Sequence, residues 1–312
     1  MTEFTGGPIE PDLEVQWIHG QPRRSRIIDP PIQVHWLDAH TVILRQSKQL
    51  TYEAPFLYLI FGNDCALLLD TGDVSDTKVM PLRSTVDRLI TEWLDANFAD
   101  AAAPDAYRLV VAHTHGHGDH VNGDPQFDDR HNTQVVGKDV ESVIEFFGFT
   151  QWPRQTVAFD LGGRVLEVTG SPGHHEASIS VYDPWTGLLL TGDTVYPGRL
   201  YVDDIDSFVD TLDELVRITE TRPVTAVLGC HIEMTTKPRV DYPVGTRYQP
   251  DEQRLDMSVD QLAQVRDAAV AVRRSPGVHV FDDFAIFNGR CVGGMLRQLA
   301  RANTDRLRAL VS

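Results

Sequence analysis

Four histidines and one aspartate crowd into eight consecutive residues in the middle of the chain. The segment reads His113-Thr114-His115-Gly116-His117-Gly118-Asp119-His120. It follows Leu109–Ala112, a short apolar run that predicts a strand. On an extended loop, alternating residues point to the same side, so several of these side chains can face one concave space. Imidazole and carboxylate are ligands that a borderline cation such as Zn²⁺ accepts, and the segment therefore predicts a metal site.

Three further residues that can bind a metal come later in the chain, each just past a predicted strand and close to a glycine. They are His174, Asp193 and His231, within Gly170-Ser171-Pro172-Gly173-His174, Thr191-Gly192-Asp193-Thr194 and Leu228-Gly229-Cys230-His231. Glycine permits a close approach of the backbone, and loops at strand ends commonly carry binding residues. We expect these three side chains to complete the coordination set.

This pattern resembles the metallo-β-lactamase superfamily of metal-dependent hydrolases, over Thr41 to Phe287. The family motif His-x-His-x-Asp-His matches His115, His117, Asp119 and His120, and the later family ligands match His174, Asp193 and His231. The resemblance implies an α/β fold, a four-layer αβ/βα sandwich, with two metals at one edge. It assigns the first metal to His115, His117 and His174, the second to Asp119, His120 and His231, and the bridge to Asp193. Five imidazoles and two carboxylates also suffice chemically for two cations that each keep a position open for water.

The chemistry implied is hydrolysis by a dinuclear zinc centre. Two cations ~3.5–4 Å apart hold a hydroxide between them, depress its pKa, and stabilise the oxyanion formed when it attacks a carbonyl. Related diiron oxidoreductases place Glu where this chain has His117, which favours two Zn²⁺ per chain, although Fe, Mn or Co could also bind. Asp119 is a catalytic candidate because its loss would disturb the second metal.

Tyr196 directs the substrate prediction because it lies three residues after Asp193. In acyl-homoserine-lactone lactonases of this superfamily, a tyrosine at that offset reaches the substrate. A phenol that donates to a developing oxyanion contributes ~2–4 kcal/mol in a dry site. We therefore expect opening of a lactone of this type or cleavage of a related ester, with Tyr196 as a second catalytic residue. Simple packing of this aromatic ring under the loop stays open as an alternative.

Other activities of the family fit less well. A thioester hydrolase of glyoxalase II type is the first alternative, but its Gly-Gly-Cys-Gly-Arg continuation is replaced by Tyr196-Pro197-Gly198-Arg199-Leu200. β-Lactamase activity is less favoured because the start of the chain shows no secretion signal. A mononuclear iron persulfide dioxygenase is the non-hydrolytic alternative; it would need only the first metal's ligands, and the presence of Asp119, His120 and His231 argues against it.

Several neighbours of the predicted ligands have the right chemistry at the wrong offset. His113 and His175 flank ligands and are expected to support them rather than bind metal. Cys230 is expected to be a small buried residue. Asp70, in Leu69-Asp70-Thr71-Gly72, matches a family position that supports the loop holding the ligands.

The composition of the chain limits the kinds of binding partner that we expect. The 312 residues include 28 Lys and Arg against 45 Asp and Glu, giving a formal net charge of −17. This balance argues against binding of nucleic acid or an anionic membrane, and favours a small-molecule substrate. No run approaches the ~18 apolar residues that cross a bilayer, so a cytoplasmic protein is expected. Cys65, Cys230 and Cys291 are too scattered for a disulfide framework.

The chain divides into two predicted parts. Residues 1–40 are proline-rich and predict an extended N-terminal arm, and residues 41–312 predict one hydrolase domain. We expect that the arm or the polar loop Thr235–Asp256 covers the metal site or contributes to a homodimer contact.

Hydrophobic periodicity predicts the elements of the domain. The predicted strands are Thr41–Arg45, Pro55–Phe61, Ala66–Asp70, Leu109–Ala112, Val135–Gly137, Val165–Thr169, Ile179–Tyr182, Leu188–Thr191, Val224–Leu228 and His279–Phe287. The predicted helices are Met80–Asn97, Asp139–Phe147, Asp206–Ile218, Val259–Arg273 and Met295–Val311.

Overall fold

The first of two large sheets is built by the N-terminal half of the chain. The structure is a computed structural model that describes residues 1–22, 28–98 and 106–289. Numbered in chain order, the strands of this sheet are β1 Ile32–Asp38, β2 Thr41–Gln46, β3 Phe56–Phe61, β4 Cys65–Leu69, β5 Arg108–Ala112 and β6 Thr133–Val135, paired in that order. β1 to β4 are antiparallel neighbours, whereas β4, β5 and β6 run parallel.

The second large sheet also has six strands. From one edge to the other, these are β13 Asp256–Met257, β12 Ala226–Gly229, β10 Leu188–Gly192, β9 Ile179–Asp183, β8 Val165–Gly170 and β7 Thr156–Asp160. Only β10 and β12 pair in parallel. A small third sheet consists of β11 Arg199–Val202, β15 Ala285–Asn288 and β14 Gly277–Val280.

Five helices accompany the sheets in the described residues: α1 Leu82–Asn97, α2 Gly118–Val121, α3 Val140–Phe147, α4 Ile205–Thr221 and α5 Val259–Val272. Three of them begin at a capping side chain, because Asp139, Asp204 and Ser258 accept hydrogen bonds from backbone N–H groups of the first turn of α3, α4 and α5. None of the helices in the described part of the chain is long and apolar enough to cross a membrane.

Three buried apolar clusters show that the elements form four layers. Strand residues alternate between the two faces of a sheet, so each large sheet contributes to two clusters. The central cluster joins the sheets through residues such as Ile43, Leu67, Val181 and Leu190. The second lies between the first sheet and α1, and includes Leu59, Leu68, Leu89 and Trp93. The third lies between the second sheet and helices α4 and α5, and includes Leu189, Val227, Leu212 and Val265. This arrangement confirms the αβ/βα sandwich.

The structure differs from the predicted elements at both ends of the described chain and at three short strands between them. Ile32–Asp38 was assigned to an irregular arm, but it forms β1, the edge strand of the first sheet. The single strand predicted at His279–Phe287 is a hairpin, because Phe281 N–H donates to the Phe284 carbonyl and turns the chain between β14 and β15. Strands β7, β11 and β13 were not predicted. The predicted helix Met295–Val311 and Cys291 lie outside the described residues.

The N-terminal arm runs along the sandwich and ties its layers together. Thr2 bonds to Asn63 in the turn between β3 and β4, and Ile9 N–H donates to the Trp185 carbonyl of the second sheet's β9–β10 turn. Farther on, Trp17 packs edge-on against Phe56. The arm also meets the 235–256 loop, where Gln249 N–H donates to the His19 carbonyl. The domain boundary at residue 40 and the covering role of the arm and loop stay predictions.

Candidate metal centre

All seven predicted ligands lie at one edge of the sandwich, where parallel strands end. The histidine-rich segment follows β5, which is parallel to β4, and Asp193 and His231 follow β10 and β12, which are parallel to each other. The carboxyl ends of parallel strands meet at a common edge and commonly form a binding site there. Gly192 lets the two sheets approach closely, because its φ is +54° and a Cβ atom would lie 2.6 Å from the Cβ of Thr114.

The backbone of the histidine-rich segment sorts its side chains into two groups. His117 has extended dihedrals (φ −72°, ψ 152°), and helix α2 begins at the next residue. His115 and His117 lie on the bent stretch before this helix, with their ring centroids 4.6 Å apart. Asp119 and His120 lie on the helical turn and point elsewhere. The motif spacing thus supplies ligands to two neighbouring positions.

The first trio consists of His115, His117 and His174. His117 Nδ1 lies 3.0 Å from Nε2 of both His115 and His174, and the two Nε2 atoms are 3.2 Å apart. Tetrahedral ligands at the Zn–N distance of about 2.0–2.1 Å are separated by about 3.3 Å. The three nitrogens are therefore arranged to hold one cation.

The second group consists of Asp119, His120, Asp193 and His231. His231 Nε2 lies 3.2 Å from Asp119 Oδ2, 3.4 Å from Asp193 Oδ1 and 3.4 Å from His120 Nε2. The other oxygen of Asp193, Oδ2, lies 3.8 Å from His174 Nε2 in the first trio. The Asp193 carboxylate thus faces both groups, as expected for the bridging position.

Hydrogen bonds on the far side of three imidazole rings fix which nitrogen faces the centre. Nδ1 of His174 contacts the Tyr201 carbonyl at 2.8 Å, and Nδ1 of His231 contacts the Glu53 carbonyl at 3.2 Å. A carbonyl only accepts, so these nitrogens carry the proton and leave Nε2 free as a ligand. Nδ1 of His120 lies 2.9 Å from Asp70 Oδ2 in the same way.

Asp70 is the main support beneath the ligands, as the sequence suggested. It accepts from Thr114 N–H at 2.7 Å and from the Thr114 hydroxyl at 2.9 Å, in addition to contacting His120, and Cys230 Sγ donates to it at 3.3 Å. Its φ of +70° is rare for a residue other than glycine, and aspartate tolerates it better than most. These bonds hold Asp70 in that backbone conformation and fix the orientation of the His120 ring.

The two groups differ in their electrostatics when no metal is bound. Burial lowers the pKa of His115 and of His174, which favours the neutral imidazole that binds metals. Burial also opposes charge on His231, but Asp193 and Asp119 outweigh it and raise the pKa of His231 to about 9. In turn, neighbouring histidines overcome burial and lower the pKa of Asp193 to about 2. The second group is thus strongly charged, whereas burial favours the neutral form of His115 and His174 in the first.

The donor set fits divalent cations. Asp193 Oδ1 is buried and has no hydrogen-bond partner among the described residues, although an orphaned carboxylate oxygen is costly in a protein interior. A cation between the two groups would satisfy it. Neutral imidazoles and carboxylates suit zinc and its first-row neighbours.

Tyr196 lies in a buried position next to the second group, and its contact with a substrate stays a prediction. Its side chain is fully buried, and its hydroxyl donates to the Arg199 carbonyl at 2.5 Å. Its ring packs edge-on against His231, with the centroids 5.6 Å apart. The phenol is therefore committed to the backbone, and this arrangement matches the packing alternative.

The other neighbours behave largely as expected. His113 Nε2 lies 2.8 Å from Asp124 Oδ1, away from the ligand nitrogens. His175 accepts from Ala177 N–H, and its ring lies beside that of His117. Cys230 is buried, but it also contacts Asp70 beneath the centre. Sequence reasoning missed the supporting roles of Thr114 and of the carbonyls of Glu53 and Tyr201. Backbone acceptors leave no trace in residue type.

Comparison with known proteins agrees with this geometry. The family model described as the metallo-beta-lactamase superfamily matches residues 51–231. The chain belongs to the metallo-β-lactamase superfamily. It is also similar to hydroxyacylglutathione hydrolase from Brucella ovis, with 26% identity over 193 residues, which cover 57% of this chain and 72% of the relative.

Solved structures of metallo-β-lactamases are similar in fold. One from Pontibacter korlensis is 18% identical, covering 64% of this chain and 91% of its own, with a TM-score of 0.44. The DIM-1 metallo-β-lactamase is 12% identical, covering 78% of this chain and 99% of its own, with a TM-score of 0.48.

Proposed function

We propose that this superfamily hydrolase binds two divalent cations, zinc in the first place, and opens a lactone or cleaves a related ester. The observation that carries the proposal is the Asp193 carboxylate, which faces both ligand groups and has a buried oxygen without a hydrogen-bond partner in the part of the chain that the structure describes. Because both ligand groups are complete, a centre with two metals is favoured over the mononuclear iron alternative.

Each set of residues has a defined task in this proposal. His115, His117 and His174 hold one cation, Asp119, His120 and His231 hold the other, and Asp193 contacts both. The cations would supply Lewis acidity, which polarises a carbonyl and lowers the pKa of water. Asp70 and the carbonyls of Tyr201 and Glu53 keep the ligand nitrogens aimed at the centre.

A thioester hydrolase is the second candidate. It is supported by the similarity to hydroxyacylglutathione hydrolase across 57% of the chain. Ester and thioester carbonyls make similar demands on the centre, so groups outside the ligand set must decide between them. A cytoplasmic location, a small-molecule substrate and a homodimer belong to the same proposal.

The proposal is tested by reconstitution. Chelator-treated protein is reloaded separately with Zn²⁺, Mn²⁺, Co²⁺ and Fe²⁺, bound metal is counted by elemental analysis, and each sample is assayed on an acyl-homoserine lactone, an aliphatic ester, a thioester, a phosphodiester and a cephalosporin. We expect two ions per chain and turnover of the lactone or the ester. His231→Gln should lose one ion, whereas the exposed His131→Gln should keep both. One iron per chain together with oxygen consumption on a persulfide would overturn the proposal.

A further inference from the structure

A surface groove of about 750 Å³ opens beside the first trio. We call it the acidic groove and define it by six of its lining residues, Trp152, Pro153, His175, Glu176, Asp203 and Asp204. It lies between the segment that carries His174 and the start of helix α4. No step of the proposed hydrolysis uses it.

The acidic groove lies next to the metal centre, although none of the seven predicted ligands is among its lining residues. Gly173 and His175 both line it, and they flank the ligand His174 in the sequence. The ring of His175 lies 5.1 Å from the ring of His117, centroid to centroid. The N–H groups of Asp203 and Asp204 both donate to the Gly173 carbonyl, which fixes these two residues to the same segment. A substrate whose carbonyl lies at the centre can therefore reach the groove by extending past the His175 side chain.

One wall of the groove carries negative charge. Glu176 and Asp203 are exposed, and neither carboxylate lies within ion-pair distance of a lysine or arginine in the described parts of the chain. Asp204 adds a third negative charge, although it also caps α4 by accepting from Asp206 N–H and the Ser207 hydroxyl. Neither lysine nor arginine is among the residues that line the groove. Arg154, next to Pro153 in the sequence, points its charge to Asp210, 3.6 Å away.

The other wall is apolar and aromatic. Trp152 is half-buried and is held edge-on against Phe149, with ring centroids 5.1 Å apart. Pro153 and Val140 continue this wall. An indole face close to carboxylates attracts organic cations, which combine an apolar surface with positive charge.

We propose that the acidic groove binds the part of the substrate that extends from the scissile carbonyl past the first trio, and that it selects an apolar group bearing a positive charge over one bearing a negative charge. This inference rests on the proposed hydrolase function. It separates this chain from enzymes that act on anionic glutathione thioesters, because carboxylates on the substrate would face those of Glu176 and Asp203.

Binding tests the groove without turnover. Three uncleavable butyramides share one shape and differ in charge: those of 2-aminoethyltrimethylammonium, 3,3-dimethylbutylamine and taurine. Affinity is measured by calorimetry on the zinc-loaded protein at low and high salt. We expect the ammonium amide to bind about tenfold more tightly than the sulfonate, with a smaller ratio at high salt because exposed charges are screened. A second series places the same charges on the acyl side, and the proposal requires the preference in at least one series.

Turnover provides the matching kinetic test. The substrates are the butyryl thioesters of thiocholine, 3,3-dimethylbutanethiol and 2-mercaptoethanesulfonate. Because these thiols differ as leaving groups, each variant is compared with the wild-type protein on the same substrate. We expect the double variant Glu176→Gln/Asp203→Asn to lower kcat/KM for the cationic thioester and raise it for the anionic one, each about threefold. The control Asp95→Asn/Glu220→Gln removes two exposed charges elsewhere and should change neither value.

The outcomes separate the groove from the hydrolase proposal. Charge preference in binding, with no hydrolysis of any substrate by reconstituted protein, would support the groove and reject the function. Two results would overturn the proposed role of the groove while hydrolysis is still observed. One is equal binding of the cationic and anionic amides in both series, and the other is a ratio of kcat/KM for the cationic and anionic thioesters that does not change in the double variant.

Discussion

Two clusters of buried charge lie close together in this protein, and they are balanced in different ways. In one, Arg45 forms two hydrogen bonds of 2.6 Å with Glu252, and Lys48 lies 3.7 Å from the same carboxylate. In the other, Asp119 and Asp193 contact only histidines among the described ionisable residues, and one Asp193 oxygen has no hydrogen-bond partner. The first cluster carries its own cations, whereas the second lacks a permanent one.

The difference shows how a structural ion pair can be told from a metal centre. A buried carboxylate is stable only when it is paired and hydrogen-bonded. Glu252 meets this condition with arginine and lysine, which belong to the chain. Asp193 meets it only through protonated histidines or through added cations, and the lowered pKa values of His115 and His174 in the first trio favour added cations. Three predictions test this contrast, and a fourth tests the role of Tyr196 beside the metal centre.

The largest expected effect is that of the substitution Asp193→Asn. An amide cannot balance two cations, so we expect loss of at least one metal ion per chain and a fall in kcat/KM of about a thousandfold, equivalent to about 4 kcal/mol of barrier. Elemental analysis and steady-state kinetics measure the two effects. The exposed Asp95→Asn on α1 is the matched control and should match the wild-type protein. Retention of both metals and of activity within threefold would remove Asp193 from the bridging position.

The substitution Glu252→Gln should lower the stability of the fold rather than the metal content. It leaves Arg45 and Lys48 buried without a carboxylate, and breaking such a pair costs about 3–5 kcal/mol. We expect a drop of this size in the free energy of unfolding by urea, with both metals retained. The control Glu14→Gln breaks an exposed pair with Arg254 and should cost less than about 1 kcal/mol. An effect of Glu252→Gln as small as that of the control would mean that the first cluster does not depend on its internal balance.

The same cluster predicts a pH dependence of stability. Burial lowers the pKa of Lys48 to about 8, with Glu252 opposing the shift, while an unfolded lysine has a pKa of about 10.4. Between these values the unfolded state binds more protons than the folded state, so the free energy of unfolding rises with pH. From pH 7.5 to 10, metal-free wild-type protein should gain about 2 kcal/mol relative to Lys48→Met. A difference between the two proteins that does not change with pH would show that Lys48 keeps an ordinary pKa.

The two clusters also differ in how far the sequence could reveal them. The ligands of the metal centre lie at fixed short spacings and strand ends, and the structure brings all seven together. Arg45 and Glu252 are 207 residues apart, with no motif around them, so only folding could pair them. The strand β1 escapes prediction for a different reason, because a half-buried edge strand that follows two prolines resembles an irregular arm.

Tyr196 shows that the spacing of a residue within a motif does not decide what its side chain contacts. The smallest effect that we predict is that of the substitution Tyr196→Phe. The offset from Asp193 predicts that the hydroxyl contacts the substrate, and loss of that contact would lower kcat without changing stability. In the structure the hydroxyl donates to the Arg199 carbonyl, so its loss should leave a buried acceptor unpaired and cost about 1–2 kcal/mol of unfolding free energy, with kcat close to that of the wild-type protein. Urea unfolding and kcat measured on the same samples distinguish the two roles, with the exposed Tyr248→Phe as control. A lowered kcat at unchanged stability would mean that the side chain turns toward the substrate during the reaction. That result would support the role that the similarity to lactonases predicts for Tyr196.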